Sequence, residues 1–256
     1  VAIVGKENEV DDVWIHDAER GTRTRLSAST VPYSIEAWSP DAKTILYNEG
    51  TSVPLTMKIK NVDGGGEART LSTGYSAAYS TDGRYVVFAD TDKSSNWNLW
   101  YIDTKGDGKP APLLVTPATE GWPRLSPDGK YFAYVSDESG ADEIYLKRFP
   151  QGDGRWQVTV GGGQWPRWNR RGDKIYYTKG DAIIEVDVAP GPEPRLGAPR
   201  EVFTRKPLGW PLIFGWAPGF DFSADEKRFV VVESQGAAKE LGGIIMEENW
   251  TREFAK

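Results

Sequence analysis

The stretch Trp122-Pro-Arg-Leu-Ser-Pro-Asp-Gly-Lys-Tyr-Phe-Ala-Tyr-Val135 decides the fold. Its centre, Ser126-Pro-Asp-Gly129, is turn chemistry. Proline pre-sets a φ of about −65° at the second turn position, aspartate tolerates the third, and glycine takes the left-handed position that closes a tight hairpin. The residues after the turn are aromatic or β-branched and show no helical period, so they read as a strand.

The same unit recurs as Trp38-Ser-Pro-Asp-Ala-Lys43, Tyr79-Ser-Thr-Asp-Gly-Arg84, Trp168-Asn-Arg-Arg-Gly-Asp173 and Phe222-Ser-Ala-Asp-Glu-Lys227. The serine-type residue falls at 39, 80, 126, 169 and 223, in steps of 41, 46, 43 and 54. A period of about 40 to 50 residues is the mark of a propeller or solenoid. After each turn the sequence supplies a strand (44–47, 85–88, 131–135, 174–177, 228–232), a second (57–60, 99–102, 144–147, 183–188, 244–247) and in most units a third (69–71, 113–115, 156–160, 201–203). With the strand that ends at the serine, each unit has four. Residues 1–256 therefore read as one all-β domain, a β-propeller of four-stranded antiparallel blades, about six of them, with five as the alternative if the two ends share a blade. The amino end supplies only the second to fourth strands of its unit, in 1–4, 13–17 and 23–26, and 250–254 completes the carboxyl end.

Composition narrows the function. Eleven tryptophans and 39% hydrophobic residues are ample for a core. The lack of cysteine removes disulfides, thiolate metal sites and a cysteine nucleophile. Acids outnumber bases by 37 to 31, for a net charge of −6, and the two are interleaved. Without a cationic stripe to neutralise phosphates, no nucleic acid is expected as a partner. Without a run of about 20 apolar residues, no direct membrane insertion is expected, and the amino end lacks a signal-peptide pattern.

The repeat from Trp122 to Gly140 resembles that of TolB-type, WD-like propellers. Ile144-Tyr-Leu-Lys-Arg-Phe-Pro150, Gly154-Arg-Trp-Gln-Val158, Gly162-Gly-Gln-Trp-Pro-Arg-Trp168 and Asn249-Trp-Thr-Arg-Glu-Phe254 resemble the propellers carboxyl-terminal to bacterial serine/threonine protein kinases. That resemblance implies a sensor or interaction domain of a larger signalling protein, on the extracytoplasmic side. Kinase chemistry itself is missing: no glycine-rich loop with a strand lysine, no His-Arg-Asp and no Asp-Phe-Gly. The same repeat type also resembles peptidase-associated propellers and stand-alone periplasmic assembly proteins, so a scaffold is a second reading.

Strand alternation sorts the residues before each turn serine. Trp38, Tyr79, Leu125, Trp168 and Phe222, one before it, are large and apolar and pack between blades. Arg124, Arg167 and Asp221, two before it, and Trp122 and Trp165, two further back, are then expected at the channel and its rim. Two arginines flanked by tryptophans suit a carboxylate, phosphate or sugar, or a protein partner, at the channel mouth. Trp210 and Trp216, in the 54-residue step, are expected to cover the same mouth. No catalytic residue, metal ligand or cofactor is assigned. His16 is the sole histidine and stands where other units have Ile102 and Lys147, a generic position. A hydrolase, glycosidase or lactonase-like, would need two carboxylates about 5 to 10 Å apart facing open space. Glu36, Glu120 and Asp221 lie near the channel strands, with Glu36 on the packing face. Asp137, Glu138 and the acids at 90–92 are oxygen-rich loops without an EF-hand pattern.

Overall fold

The computed structural model describes residues 2–7, 10–17, 20–26, 32–91, 96–189, 191, 193–204, 213–214, 217–218, 220–223, 225–231 and 245–247. The described elements are all strands. The first unit holds β1 (Ala2–Glu7), β2 (Val10–Asp17) and β3 (Thr22–Arg25) as one antiparallel sheet in that order. The second holds β4 (Pro32–Trp38), β5 (Thr44–Glu49), β6 (Thr56–Asn61) and β7 (Arg69–Thr73), and the third holds β8 (Tyr75–Tyr79), β9 (Tyr85–Thr91), β10 (Trp97–Asp103) and β11 (Pro110–Leu114). The fourth holds β12 (Glu120–Leu125), β13 (Tyr131–Ser136), β14 (Glu143–Arg148) and β15 (Trp156–Gln157). In the fifth, β16 (Gln164–Trp168), β17 (Lys174–Lys179) and β18 (Ala182–Ala189) are followed by β19 (Arg195–Leu196) and β20 (Arg200–Thr204), both paired with β18. A two-stranded ribbon, β21 (Ile213–Phe214) and β22 (Ala217–Pro218), precedes β23 (Phe220–Phe222), β24 (Phe229–Val231) and β25 (Ile245–Glu247) of the sixth.

These sheets are the blades expected from the repeat. β1 and β2 both lie against β4, the relation that β9 and β10 have to β12, so the first unit begins at its second strand. The expected strand over 250–254 lies outside the described residues. One third strand is shorter than expected: that over 156–160 stops at Gln157. The Thr159 hydroxyl there takes the Ile144 amide at 2.8 Å and donates to Glu143, so a side chain replaces the next rung of the ladder.

The blades stack face to face. Their second strands are buried on both sides and therefore read as continuous apolar runs, whereas alternation belongs to strands with one wet face. Val13 and Leu26 meet Ile45 and Tyr47; Leu46 and Met57 meet Val86 and Phe88; Leu99 meets Phe132 and Tyr134. Farther round, Val135 and Ile144 meet Ile175 and Tyr177, and Tyr176 and Phe203 meet Phe220 and Phe229. β4, β8, β12 and β16 are successive neighbours and form the inner wall.

The turns are built alike. The serine hydroxyl donates to the aspartate two residues on, at 2.7, 2.6, 2.7 and 2.6 Å for Ser39, Ser80, Ser126 and Ser223. It also accepts the amide that opens the next strand, as Ser126 does from Tyr131 at 3.0 Å. That serine bond, with the amide two residues beyond, holds the Asp41, Asp82 and Asp225 carboxyls below their ordinary range. Asn169 serves in the fifth unit, its Oδ1 accepting three successive amides. The fourth turn residue is left-handed throughout: φ is 68° at Gly83, 69° at Gly129, 76° at Gly172, but also 56° at Ala42 and 60° at Glu226. Glu226 is held there by bonds to Asn169 and Tyr176 and an ion pair with Arg171 of the preceding blade. Ala42 is exposed and has no such support. Ala42→Gly is expected to stabilise the protein by a few tenths to about 1 kcal/mol and Gly129→Ala to destabilise it by about 1 kcal/mol, since a Cβ at 129 meets open space and only the backbone is strained. Urea unfolding midpoints measure both.

Candidate functional site

Each inner strand from β4 to β16 carries a bulge. The register shifts between Ile35 and Ala37, Tyr75 and Ala78, Gly121 and Arg124, and Gln164 and Arg167. In three of them the residue four before the turn serine or asparagine is left-handed, with φ of 54° at Ser76, 51° at Trp122 and 58° at Trp165. Such a backbone is uncommon for a bulky side chain and persists because the surroundings fix it. A bulge leaves backbone groups unpaired with the next strand, and neighbouring blades supply the partners. The Ala77 amide donates to Glu36 Oε2 at 2.9 Å, the Ser76 carbonyl accepts Arg124 Nη1 at 3.0 Å, and the Arg124 carbonyl accepts Trp168 Nε1 at 3.0 Å. Where Ala77 has an amide to satisfy, Pro123 and Pro166 have none, and no carboxylate is needed there.

Alternation puts 122 and 124 on one side of a regular strand; the bulge separates them. Arg124, Arg167 and Asp221 line one cleft of about 360 Å³, where the inner strands run into their turns. Trp122 and Trp165 do not line it. Their rings contact each other at 4.6 Å, and Trp165 is buried against Tyr176 and Phe220. Trp210 and Trp216 lie outside the described residues. Thr81, Pro127 and Arg170, at the turn tips, form the rim.

Among the described residues the cleft thus carries three arginines and one aspartate. Arg124 is held by Nη1, which also donates to the Pro123 carbonyl at 2.8 Å, and its Nη2 and Nε have no acceptor among the described residues. Burial, and then Arg167, lower its pKa to about 10, with Glu36 and Asp221 acting the other way, so it stays charged at neutral pH. Glu36 lies behind it, also accepting from Ser34 and Asn48 at 2.7 Å each. Burial raises the Glu36 pKa, against the Ser34 and Ala77 hydrogen bonds and the Arg124 charge. Arg167 Nη1 is 3.8 Å from Asp221, a loose contact with a largely exposed carboxylate, and its Nε is buried without a partner.

The remaining candidates lie elsewhere. His16 pairs across β2 and β3 with Arg23. Asp137 accepts the Thr119 amide at 2.8 Å and Glu138 pairs with Arg155 at 2.8 Å. No group of three or more His, Asp or Glu side chains close enough to hold a metal occurs among the described residues. Among the described residues Asp221 is the one carboxylate lining the cleft, so the pair that glycoside hydrolysis needs is not found there among them. Sequence reasoning placed Glu36 on the packing face and missed its bond to the Ala77 amide, for which the contrast of Ala77 with Pro123 and Pro166 is the signal.

Four-stranded antiparallel blades stacked round an inner wall define a β-propeller. Solved propellers superpose on this one. TolB from Acinetobacter baumannii matches with a TM-score of 0.64 at 18% identity, over 88% of this chain and 55% of that one. Oligogalacturonate lyase from Vibrio parahaemolyticus matches with a TM-score of 0.66 at 12% identity, over 98% and 72%. Among curated proteins, the uncharacterized protein Atu1656 of Agrobacterium fabrum is 25% identical over 175 residues, 62% of this chain and 59% of its own length. The chain therefore spans less than two thirds of that relative and of that TolB. No family model matches the chain. These likenesses give a TolB-like propeller fold, which a lyase shares, and a fold alone assigns no activity.

Glu120, at the start of β12, is buried, with Oε2 unpartnered and Oε1 bonded to the Thr116 hydroxyl. Burial, aided by Glu138 and Asp137, raises its pKa from 4.5 to about 7. The folded state then binds a proton that the unfolded chain has released, so the stabilisation present at low pH is lost as pH rises through 7. The stability difference between Glu120→Gln and the unmodified protein is expected to shift in favour of the variant by about 2 to 3 kcal/mol from pH 5 to pH 8, as read by urea unfolding.

Proposed function

We propose that the chain is a non-catalytic binding propeller that holds an anionic group, from a small ligand or a protein partner, in the cleft between Arg124 and Arg167. One observation carries this reading: two guanidinium groups line one cleft, Arg124 with Nη2 and Nε free of acceptors among the described residues, and the Nε of Arg167, buried at its wall, has no partner. An unpaired buried donor is unfavourable unless a ligand or water completes it, and charge-assisted bonds to a carboxylate or phosphate are the strong ones. The placement of these arginines in a chain of net charge −6 gives the cleft a local sign opposite to the whole. We further propose that the propeller is the sensor or interaction part of a larger bacterial signalling protein, such as a serine/threonine kinase, on the extracytoplasmic side. That part rests on the resemblance carried by 144–150, 154–158 and 162–168.

Isothermal titration with succinate and with inorganic phosphate at low ionic strength tests the binding reading. Arg167→Gln is expected to weaken binding about 10- to 100-fold, the worth of a charged hydrogen bond. Asp221→Asn, which removes the competing anion, is expected to tighten it by a few-fold. Equal binding by all three proteins would refute the assignment.

A further inference from the structure

The cleft is larger than a lone anion needs. Its volume of about 360 Å³ falls within the range of small-molecule sites, about 300 to 1,000 Å³, whereas a phosphate fills roughly 90 Å³, the room of three waters. Three successive units build it alike, each with a charged residue and the apolar residue that follows it: Arg124 with Leu125, Arg167 with Trp168, and Asp221 with Phe222. Consecutive residues of a regular strand point to opposite faces, but both line the cleft here, where the strands run into their turns. The second and third units have Ala37 and Ala78 in place of the charged residue, so the charges gather on the fourth to sixth.

The apolar walls are fixed from behind. Leu125 belongs to the core cluster of Phe132 and Tyr134. The bond of 3.0 Å from Trp168 Nε1 to the Arg124 carbonyl sets the plane of the indole, and the Phe222 ring is held 4.7 Å from Tyr176 and 5.9 Å from Phe229. Trp168 and Phe222 are nonetheless only half-buried, which leaves apolar surface to the cleft. A small polar anion answers the arginines and leaves that surface wet; covering it is favourable in proportion to its area, and walls already in place lower the cost of binding. A second carboxylate on the ligand would also meet Asp221. We infer that the cleft takes a monocarboxylate on a compact apolar body, the carboxylate between Arg124 and Arg167 and the body against Leu125, Trp168 and Phe222. This rests on the cleft being an anion site and adds the class of its ligand.

Isothermal titration with acetate, succinate and benzoate compares one charge at three bodies. Benzoate is expected to bind about 10- to 30-fold tighter than acetate, the gain from covering one face of a ring, and tighter than succinate. Phe222→Thr, which removes an apolar wall and keeps both arginines, is expected to weaken benzoate about 3- to 10-fold and acetate less. If that variant does not fold, the unmodified protein decides: nuclear Overhauser contacts from the benzoate ring protons to the Leu125 methyl groups are expected, and their absence at saturating benzoate overturns the inference. Acetate, succinate and benzoate bound within about 2-fold of one another, and each lost in Arg167→Gln, overturn it as well and leave the anion cleft standing. No binding of any probe overturns both.

Discussion

The hydrogen bond from Arg124 Nη1 to the Ser76 carbonyl, 3.0 Å long, joins two blades where both inner strands are bulged. The bulges take backbone groups out of their own ladders, and a buried carbonyl or amide without a partner is costly enough that the neighbouring blade must supply one. Glu36 does so for Ala77, Arg124 for Ser76, and Trp168 for Arg124 in turn. Adjacent inner strands are thereby fixed to one another by bonds that carry direction, in addition to the apolar stacking between sheets, which does not. The arginine that faces the cleft is one member of this chain, so the geometry of the candidate site is set by the assembly of the ring.

The electrostatics follow from the same arrangement. Arg124 is half-buried beside another arginine, and both effects lower its pKa while Glu36 and Asp221 act the other way; at about 10 it remains a cation at neutral pH. The Glu36 pKa is raised by its burial, against the hydrogen bonds from Ser34 and Ala77 and the Arg124 charge. Asp221 differs: exposed and 3.8 Å from Arg167, it is placed to be exchanged for an incoming anion at little cost.

Much of this was legible in the sequence because the deciding interactions are local. The serine-to-aspartate bond in four of the five turns spans two residues, and the left-handed position is marked by glycine in three turns of five, so the blades and their order are written at a fixed offset from residues 39, 80, 126, 169 and 223. The gathering of Arg124, Arg167 and Asp221 followed from that offset as well. What was not legible lies above the turns. Trp122 and Trp165 sit on left-handed backbone that no glycine announces, and the bulge breaks the alternation by which they were assigned to the rim. Glu36, sorted to the packing face, does lie between blades, but its partner amide is 41 residues away, and pattern along a strand carries no word of it.

The central claim is that the end of the inner wall at Arg124 and Arg167 is an anion site. Crystals soaked in sodium bromide test it directly. The account predicts an anomalous peak within hydrogen-bonding distance of both guanidinium groups, displacing Asp221 from Arg167. Bromide bound elsewhere on the protein, with none between these two arginines, would contradict it.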